Sequence, residues 1–276
     1  MTTAFVLGGG GQLGAHEAGM LRALLERGIV PDVVVGTSVG AINGAAVASD
    51  PSVDAARQLA STWLDIERSD VFAGSLFNRL ATLARTGTHL HDNTALRAVL
   101  DEALEIPLIE DLPVRFQCVA ASIQNAAEHW FTSGPLVDAV LASAAVPGLL
   151  PPVEIAGEHF IDGGIVNSIP VGRAVSLGAT RIFVMHVGRV DRPLEPPRRP
   201  WEVAVVAFEV ARRHRFVGDL AALPDDLEVH VMPTGQAEPP KYNDLSALRY
   251  RGGLDLAASI ERAHAASAAY LEERGL

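Results

Sequence analysis

In Val35-Gly36-Thr37-Ser38-Val39-Gly40-Ala41, a short apolar strand runs directly into a Gly-x-Ser-x-Gly turn. The residues that follow, 41–46, are small and suit a helix that packs closely under a sheet. A serine on such a turn projects from the sheet, because the flanking Gly36 and Gly40 carry no side chains that would crowd it. The first amides of the helix also face any negative charge that develops there. Ser38 is therefore a candidate nucleophile, or else a simple helix cap, and the rest of the chain must decide.

The overall composition is that of a folded globular protein. Of 276 residues, 49% are apolar and 20% are charged, so the chain can bury a full core. The formal net charge of -11 argues against binding to nucleic acid, which requires a basic face. Cys118 is the only cysteine and the histidines are scattered, so no disulfide and no metal site is predicted. The chain begins without a basic region and has no run of about 18 apolar residues, which predicts a cytoplasmic protein.

A second glycine-rich turn follows the first predicted strand, residues 3–7. It is Gly8-Gly9-Gly10-Gly11-Gln12-Leu13-Gly14, and a helix is predicted from about Ala15. This arrangement directs backbone N–H groups toward an anion. It also matches G-x-G-x-x-G, but a dinucleotide site needs an acidic residue at the end of the second strand, which here ends in Gly36-Thr37-Ser38. A nicotinamide site is therefore disfavoured, and the loop equally suits an oxyanion hole beside Ser38.

An aspartate at the end of a further apolar strand is the second candidate catalytic residue. Residues 158–161 are predicted to form this strand, which delivers Asp162-Gly163-Gly164. Burial disfavours the charged form of an aspartate and makes it a better base than a solvated one. Taken alone, Asp-Gly-Gly is as typical of a hairpin turn.

Strands alternate with helices along the chain, which predicts the fold class. Further strands are expected at 115–121, 128–132, 181–187 and 227–232, with helices between them. The alternation, without a repeat or a domain boundary, predicts a single three-layer α/β/α domain over residues 1–276 with a mostly parallel central sheet. An apolar stripe within residues 66–91 is a candidate lid, although such stripes are more often core; its members are Phe72, Leu76, Phe77, Leu80 and Leu83.

Five motifs in a fixed order resemble those of the patatin-like phospholipases. They are the three turns above together with Ala142-Ser143-Ala144-Ala145-Val146-Pro147-Gly148 and Asn167-Ser168-Ile169-Pro170. The resemblance covers roughly residues 3–185, and residues from about 200 to 276 would complete the domain. The ordered set is highly specific, whereas each motif alone is not.

The resemblance implies roles for the matching positions. In that family the serine is the nucleophile and the aspartate of the Asp-Gly-Gly motif is its base, with no histidine between them. It therefore implies Ser38 as nucleophile, Asp162 as general base, an acyl-enzyme, no cofactor, and hydrolysis of phospholipid or other acyl esters. The oxyanion hole would be formed by Gly9, Gly10 and Gly11. The remaining motif glycines would be Gly14, Gly36, Gly40, Gly163 and Gly164.

Leu13 departs from the family pattern. Many members carry Lys or Arg at this position, in a Gly-Gly-Gly-x-Arg-Gly loop. Losing that cation leaves the backbone donors intact but removes any contribution to binding an anionic head group. The sequence therefore supports an acyl-ester hydrolase more firmly than a phospholipase.

Three alternatives remain open at this point. A Ser-His-Asp triad would need a histidine after Asp162, and of His186, His214, His230 and His264 only His186 sits where a predicted strand would end. An acyltransferase could use the same serine and aspartate, and a non-catalytic lipid- or nucleotide-binding module would need only the glycine loop. A lipid substrate also implies peripheral contact with a bilayer or micelle, for which residues 66–91 and 201–216 are the candidate segments.

Overall fold

The computed structural model describes residues 1–68, 89–186, 193–236 and 255–276 of the chain. Within this part, eight strands form one mixed sheet with helices on both faces, so the predicted α/β fold with a central sheet is confirmed. The strands are β1 (Thr3–Leu7), β2 (Val33–Thr37), β3 (Arg115–Ser122), β4 (Ala127–Phe131), β5 (Val153–Ile155), β6 (Glu158–Asp162), β7 (Arg181–Met185) and β8 (Glu228–Val231).

The helices lie mostly between successive strands, as the alternating pattern predicts. They are α1 (Ala15–Glu26), α2 (Val39–Ser49), α3 (Val53–Arg68), α4 (Thr94–Ala103), α5 (Leu136–Ser143), α6 (Gly164–Asn167), α7 (Val171–Ser176), α8 (Pro200–Ala221) and α9 (Leu256–Arg274). Two single 3₁₀ turns occur at Gly11–Gly14 and Ile109–Asp111. The candidate lid residues 72–83 lie outside the described residues.

The five strands β3-β2-β1-β7-β8 are parallel neighbours in that order, and β4, β5 and β6 join the sheet through antiparallel pairs. Strands β1 and β2 are buried along their whole length, because helices cover both faces of the sheet. The carboxyl ends of parallel strands meet at one edge. There β1 continues into the glycine loop and β2 continues into Ser38.

Strand β3 brings the ends of β2 and β6 together. One edge of β3 pairs with β4 through residues 118–122. On the other edge, β2 pairs with β3 as far as Thr37 opposite Val119, and β6 continues from there with Asp162 opposite Ala120. Because Val119 and Ala120 are consecutive, the last residues of β2 and β6 lie side by side. This register explains how two residues 124 positions apart in sequence meet.

The core is divided by the sheet into two layers. Alternate residues of β1 point to opposite faces, so Phe5 joins the larger cluster and Val6 the smaller one. The larger layer contains residues of α1 to α5 and α9, and the smaller layer contains residues of α7 and α8 such as Phe216. Among the described residues, no helix is both long and apolar enough to span a membrane.

Candidate active site

Ser38 occupies the sharp turn between β2 and α2. Its φ of 55° and ψ of -123° lie in a region that residues other than glycine rarely adopt. The backbone is held there because the Ser38 N–H donates to Ser143 Oγ at 2.9 Å and the Ser38 carbonyl accepts from Ala41 N–H, also at 2.9 Å. Backbone strain of this kind is retained mainly at functional sites.

The turn also requires a close approach between α2 and the end of β1. A Cβ atom on Gly40 would lie 2.3 Å from the Leu7 carbonyl oxygen, a distance that no side chain could tolerate. The glycine therefore lets the first turn of α2 lie directly against β1. This contact places Ser38 beside the glycine loop that follows β1.

Ser143, which sequence reasoning did not assign to the site, anchors this turn from α5. Its hydroxyl accepts from Ser38 N–H and donates to the Val119 carbonyl of β3 at 2.6 Å. It is fully buried. Its place within the quoted motif 142–148 was the available signal, but the motif alone does not show which backbone groups the hydroxyl would contact.

Asp162 is the direct hydrogen-bond partner of Ser38. The Ser38 hydroxyl donates to Asp162 Oδ2 at 2.6 Å, and the Gly164 N–H donates to Asp162 Oδ1 at 2.7 Å. The Asp162 N–H in turn donates to the Ala145 carbonyl at 2.9 Å, which ties the end of β6 to the segment after α5. Ser38 is 7% exposed and Asp162 is 4% exposed, so the pair lies in a nearly dry site.

Burial raises the pKa of Asp162 from its ordinary value of 3.8 to about 6, although the hydrogen bonds from Ser38 and Gly164 oppose the shift. Removal from water disfavours the carboxylate, whereas donors facing it favour it. Above a pH of about 6 the group is therefore ionised, yet more basic than an exposed aspartate.

The amides of the glycine loop differ in whether they donate hydrogen bonds within the described part of the protein. The Gly8 N–H donates to Met185 O at 2.8 Å, and the Gly9 N–H donates to Ser168 O at 2.9 Å. The amides of Gly10 and Gly11 donate no hydrogen bond to any described residue. Both residues are half-buried, and Gly11 borders the cavity that contains Ser38. Within the part of the chain that the structure describes, these two amides are thus candidate donors to an anionic oxygen.

A cavity of about 330 Å³ begins at Ser38. One face of α2 lines it throughout, from Val39 through Ile42 and Ala46 to Ser49. At 1.5 Å per residue, this face is roughly 15 Å long, so the cavity is elongated. The opposite walls come from α3, α4 and the segment after α5, and they are mainly apolar; they include Leu59, Trp63, Leu96, Leu100, Val146 and Leu149.

The four candidate triad histidines lie in different places, and none stands between Ser38 and Asp162. His230 contacts Glu228 and Tyr270, and His264 contacts Glu26. His214 is exposed on α8. His186 follows β7 as predicted and packs on Phe216.

The basic cluster within α8 is largely paired inside the molecule, and it lies before the last turn of the helix, which contains no basic residue. Arg212 and Arg213 both contact Glu209 of the same helix, at 2.9 and 3.1 Å. Arg215 contacts Asp219 and also Glu128 of β4. These arginines therefore serve the packing of α8, a role that sequence position alone did not reveal.

A comparison with models of protein families shows to which family the chain belongs. The model of the patatin-like phospholipase family matches residues 5–175, which include both glycine turns, Ser38 and Asp162. The chain belongs to this family.

Individual members of the family are similar over most of this chain. Patatin-like phospholipase domain-containing protein ZK370.4 of Caenorhabditis elegans is 32% identical over 188 residues, which are 67% of this chain and 14% of that protein. Lysophospholipase nte1 of Aspergillus terreus is 32% identical over 194 residues, which are 69% of this chain and 12% of that protein. The chain thus spans only a small part of the length of these relatives. Among solved structures, VipD from Legionella pneumophila aligns with a TM-score of 0.46 and 14% identity, covering 99% of this chain and 67% of VipD.

Proposed function

We propose that this patatin-like protein hydrolyses acyl esters of lipids, with Ser38 as nucleophile and Asp162 as general base. The observation that carries the proposal is the direct 2.6 Å hydrogen bond from Ser38 Oγ to Asp162 Oδ2 in a site with little exposure. The family and a relative named lysophospholipase support a lipid ester as substrate. Such a substrate would bring the protein to a bilayer or micelle surface.

The reaction begins with transfer of the hydroxyl proton. Asp162 accepts the Ser38 proton as Oγ attacks the ester carbonyl carbon, which gives a tetrahedral oxyanion. When the intermediate collapses, the carbonyl re-forms, the ester C–O bond breaks, and Asp162 returns the proton to the leaving alkoxide. Water then attacks the acyl-Ser38 ester and gives its proton to Asp162. Collapse of this second intermediate releases the carboxylic acid and restores the Ser38 hydroxyl.

Backbone amides at the meeting point of two turns would stabilise the oxyanion. The amides of Gly10 and Gly11 are the donors of the glycine loop that have no partner among the described residues. The amide of Val39, which begins α2 directly after Ser38, would be a further donor, because a helix N-terminus favours negative charge. Gly9 fixes the loop through Ser168 in this scheme and is not itself a donor. Loss of one oxyanion donor typically costs about 3 kcal/mol of transition-state stabilisation.

The elongated cavity is suited to the acyl chain of the substrate. It starts at the proposed nucleophile and is lined mainly by apolar side chains along α2. Leu13 is 8% exposed and packs in the interior, so this position supplies no cation for a phosphate-bearing head group. Binding would therefore depend on the acyl chain more than on the head group.

The test is an assay of purified protein on p-nitrophenyl esters and on a lysophospholipid. We expect Ser38→Ala to lose at least about a thousandfold in kcat/KM, because no other group replaces the nucleophile. Wild-type protein should also react covalently with a fluorophosphonate at Ser38, located by peptide mass spectrometry. Ser176→Ala, which removes an exposed serine on α7, is the matched control and should retain full activity. Wild-type activity in Ser38→Ala would refute the proposal.

The fate of the acyl group distinguishes a hydrolase from an acyltransferase. Product analysis with water alone and with an added alcohol or lysolipid acceptor separates the two. We expect free carboxylic acid as the main product in both conditions. If an acyl-transfer product dominates once the acceptor is present, the protein is an acyltransferase and the proposed hydrolysis is wrong.

A further inference from the structure

A fully buried amide lies directly behind the glycine loop. Asn43 of α2 has no exposed surface. Its Nδ2 donates to the Gly14 carbonyl at 3.0 Å and to Glu17 Oε2 at 2.8 Å, and its Oδ1 accepts from Trp63 Nε1 at 3.0 Å. Both amide hydrogens and the amide oxygen of one side chain are thus engaged.

The partners of Asn43 belong to separate parts of the proposed active site. Gly14 ends the 3₁₀ turn of the glycine loop. Glu17 is a residue of α1, the helix that follows this loop. Trp63 is a residue of α3, and its side chain is part of the cavity wall. One amide therefore joins the loop, the helix behind it and the acyl pocket.

The end of the glycine loop is also in tight contact with the residue after Ser38. A Cβ atom on Gly14 would lie 2.3 Å from Val39 Cγ2. Gly14 is therefore held between Val39 on one side and Asn43 on the other. A shift of its carbonyl would move either the loop amides or the first turn of α2, and both supply donors to the proposed oxyanion hole.

Glu17 is suited to a structural role in this cluster. It has no exposed surface, and burial raises its pKa well above the ordinary 4.5 even though the hydrogen bond from Asn43 opposes the shift. A neutral carboxyl group costs far less to bury than a carboxylate. In its protonated form, which burial favours, Glu17 presents an oxygen to Asn43 without placing a charge behind the loop.

We propose that Asn43 is a positioning residue that couples Trp63 in the acyl pocket to the oxyanion-binding amides of the glycine loop. The proposal rests on the function proposed above. Hydrogen bonding to Asn43 fixes the indole ring in the pocket wall, and the same amide fixes Gly14. An intact pocket wall is therefore a condition for correct loop geometry, even with a substrate too short to fill the pocket.

The test is Trp63→Phe, which removes the indole N–H but keeps an aromatic ring in the wall. The substrate is p-nitrophenyl acetate, whose acyl group does not extend along the cavity. We expect kcat to fall about tenfold with little change in KM, because misplaced catalytic groups slow chemistry without weakening the binding of so small a substrate. Trp130→Phe is the matched control, since Trp130 lies on β4 against Arg173 and outside the cavity. It should keep the wild-type kcat.

A second pair of variants tests the same coupling through Glu17. Glu17→Gln keeps an uncharged hydrogen-bond acceptor and should remain within about twofold of the wild-type kcat on acetate, whereas Glu17→Leu removes the acceptor and should lose about tenfold. Circular dichroism and thermal unfolding establish that each variant is folded at the assay temperature. If Trp63→Phe does not fold, the Glu17 pair decides.

A merely structural cluster gives a different result. Folded Trp63→Phe and Glu17→Leu with the wild-type kcat on acetate would overturn the coupling, even if their thermal stability is lower. Ser38→Ala is assayed alongside to keep the two proposals apart. An inactive Ser38→Ala with an unaffected Trp63→Phe refutes only the coupling, whereas a fully active Ser38→Ala refutes the proposed function itself.

Discussion

Asp162 and Glu17 are both buried acids near the carboxyl ends of the central strands, but their surroundings differ. Asp162 accepts one hydrogen bond from the Ser38 hydroxyl and one from a backbone amide. Glu17 accepts a hydrogen bond from the side-chain amide of Asn43. Burial raises the pKa of both groups, to about 6 for Asp162 and well above the ordinary range for Glu17.

The difference shows how partners determine the use of a buried carboxyl group. The hydrogen bonds from Ser38 and Gly164 oppose the rise in the pKa of Asp162 to about 6, and one of these donors is a hydroxyl that can lose its proton. Glu17 faces an amide, which cannot transfer a proton at accessible pH, and burial favours its protonated form. The first region is therefore suited to proton transfer, and the second to holding backbone in place.

The largest effect is expected from removing the proposed base. Asp162→Asn keeps the size of the side chain and can still contact Ser38, but an amide cannot accept the serine proton. We expect kcat/KM on a p-nitrophenyl ester to fall at least about a thousandfold. A loss below tenfold would mean that another group acts as base, and His186→Ala would then be the next variant to assay.

Asp162→Asn should also stabilise the folded state above a pH of about 6. The folded pKa of Asp162 lies above its unfolded value, so the folded state binds more protons and stability is lost as pH rises from 3.8 to about 6. A tenfold difference in proton affinity corresponds to about 1.4 kcal/mol, so the cost above this range is roughly 3 kcal/mol. Relative to wild type, Asp162→Asn should therefore gain up to about 3 kcal/mol of unfolding free energy between pH 3.5 and pH 8.

Urea denaturation at the two pH values measures this gain. The contribution of Glu17 is common to wild type and variant, so it cancels in the difference. Asp54→Asn, which makes the same change at an exposed aspartate on α3, is the matched control for the substitution itself. An equal stability difference at pH 3.5 and pH 8 would contradict the raised pKa of Asp162.

The pH dependence of the reaction should follow Asp162 and not Glu17. The base must be ionised, so kcat/KM should be level above pH 7 and fall about tenfold per pH unit below about 6. Glu17→Gln should retain this inflection. If the inflection of kcat/KM in Glu17→Gln lies at a different pH, the protonation of Glu17 and that of Asp162 are coupled.

The site motifs could be found in the sequence because they are local. Ser38 and the glycine loop each follow a continuous apolar run, as buried parallel strands do. The meeting of Ser38 with Asp162 is different, since it depends on β6 continuing the edge of β3 where β2 ends. That register involves strands far apart in the chain, and no local pattern specifies it.

Glu17 shows why other parts of the site could not be predicted. Helical periodicity places polar residues on the solvent face, but α1 is buried on nearly every side, and Glu17 with it. Asn43 likewise stands among small residues that indicate only close packing. Which amides of the glycine loop are hydrogen-bonded also depends on tertiary structure. The Gly9 N–H donates to the carbonyl of Ser168, a residue that follows β6 in the chain.

The smallest effect on activity, and a clear test of the contrast between the two acids, is expected from Glu17→Gln. The folded pKa of Glu17 is raised above its unfolded value, so its contribution to stability falls as pH increases beyond 4.5. Gln cannot ionise, so the variant should become more stable than wild type as pH rises, with kcat at neutral pH within about twofold. Thermal unfolding at pH 4 and pH 8, with kcat at pH 7.5, measures both. If instead kcat fell a hundredfold at unchanged stability, Glu17 would take part in proton transfer, and the distinction between the two acids would be wrong.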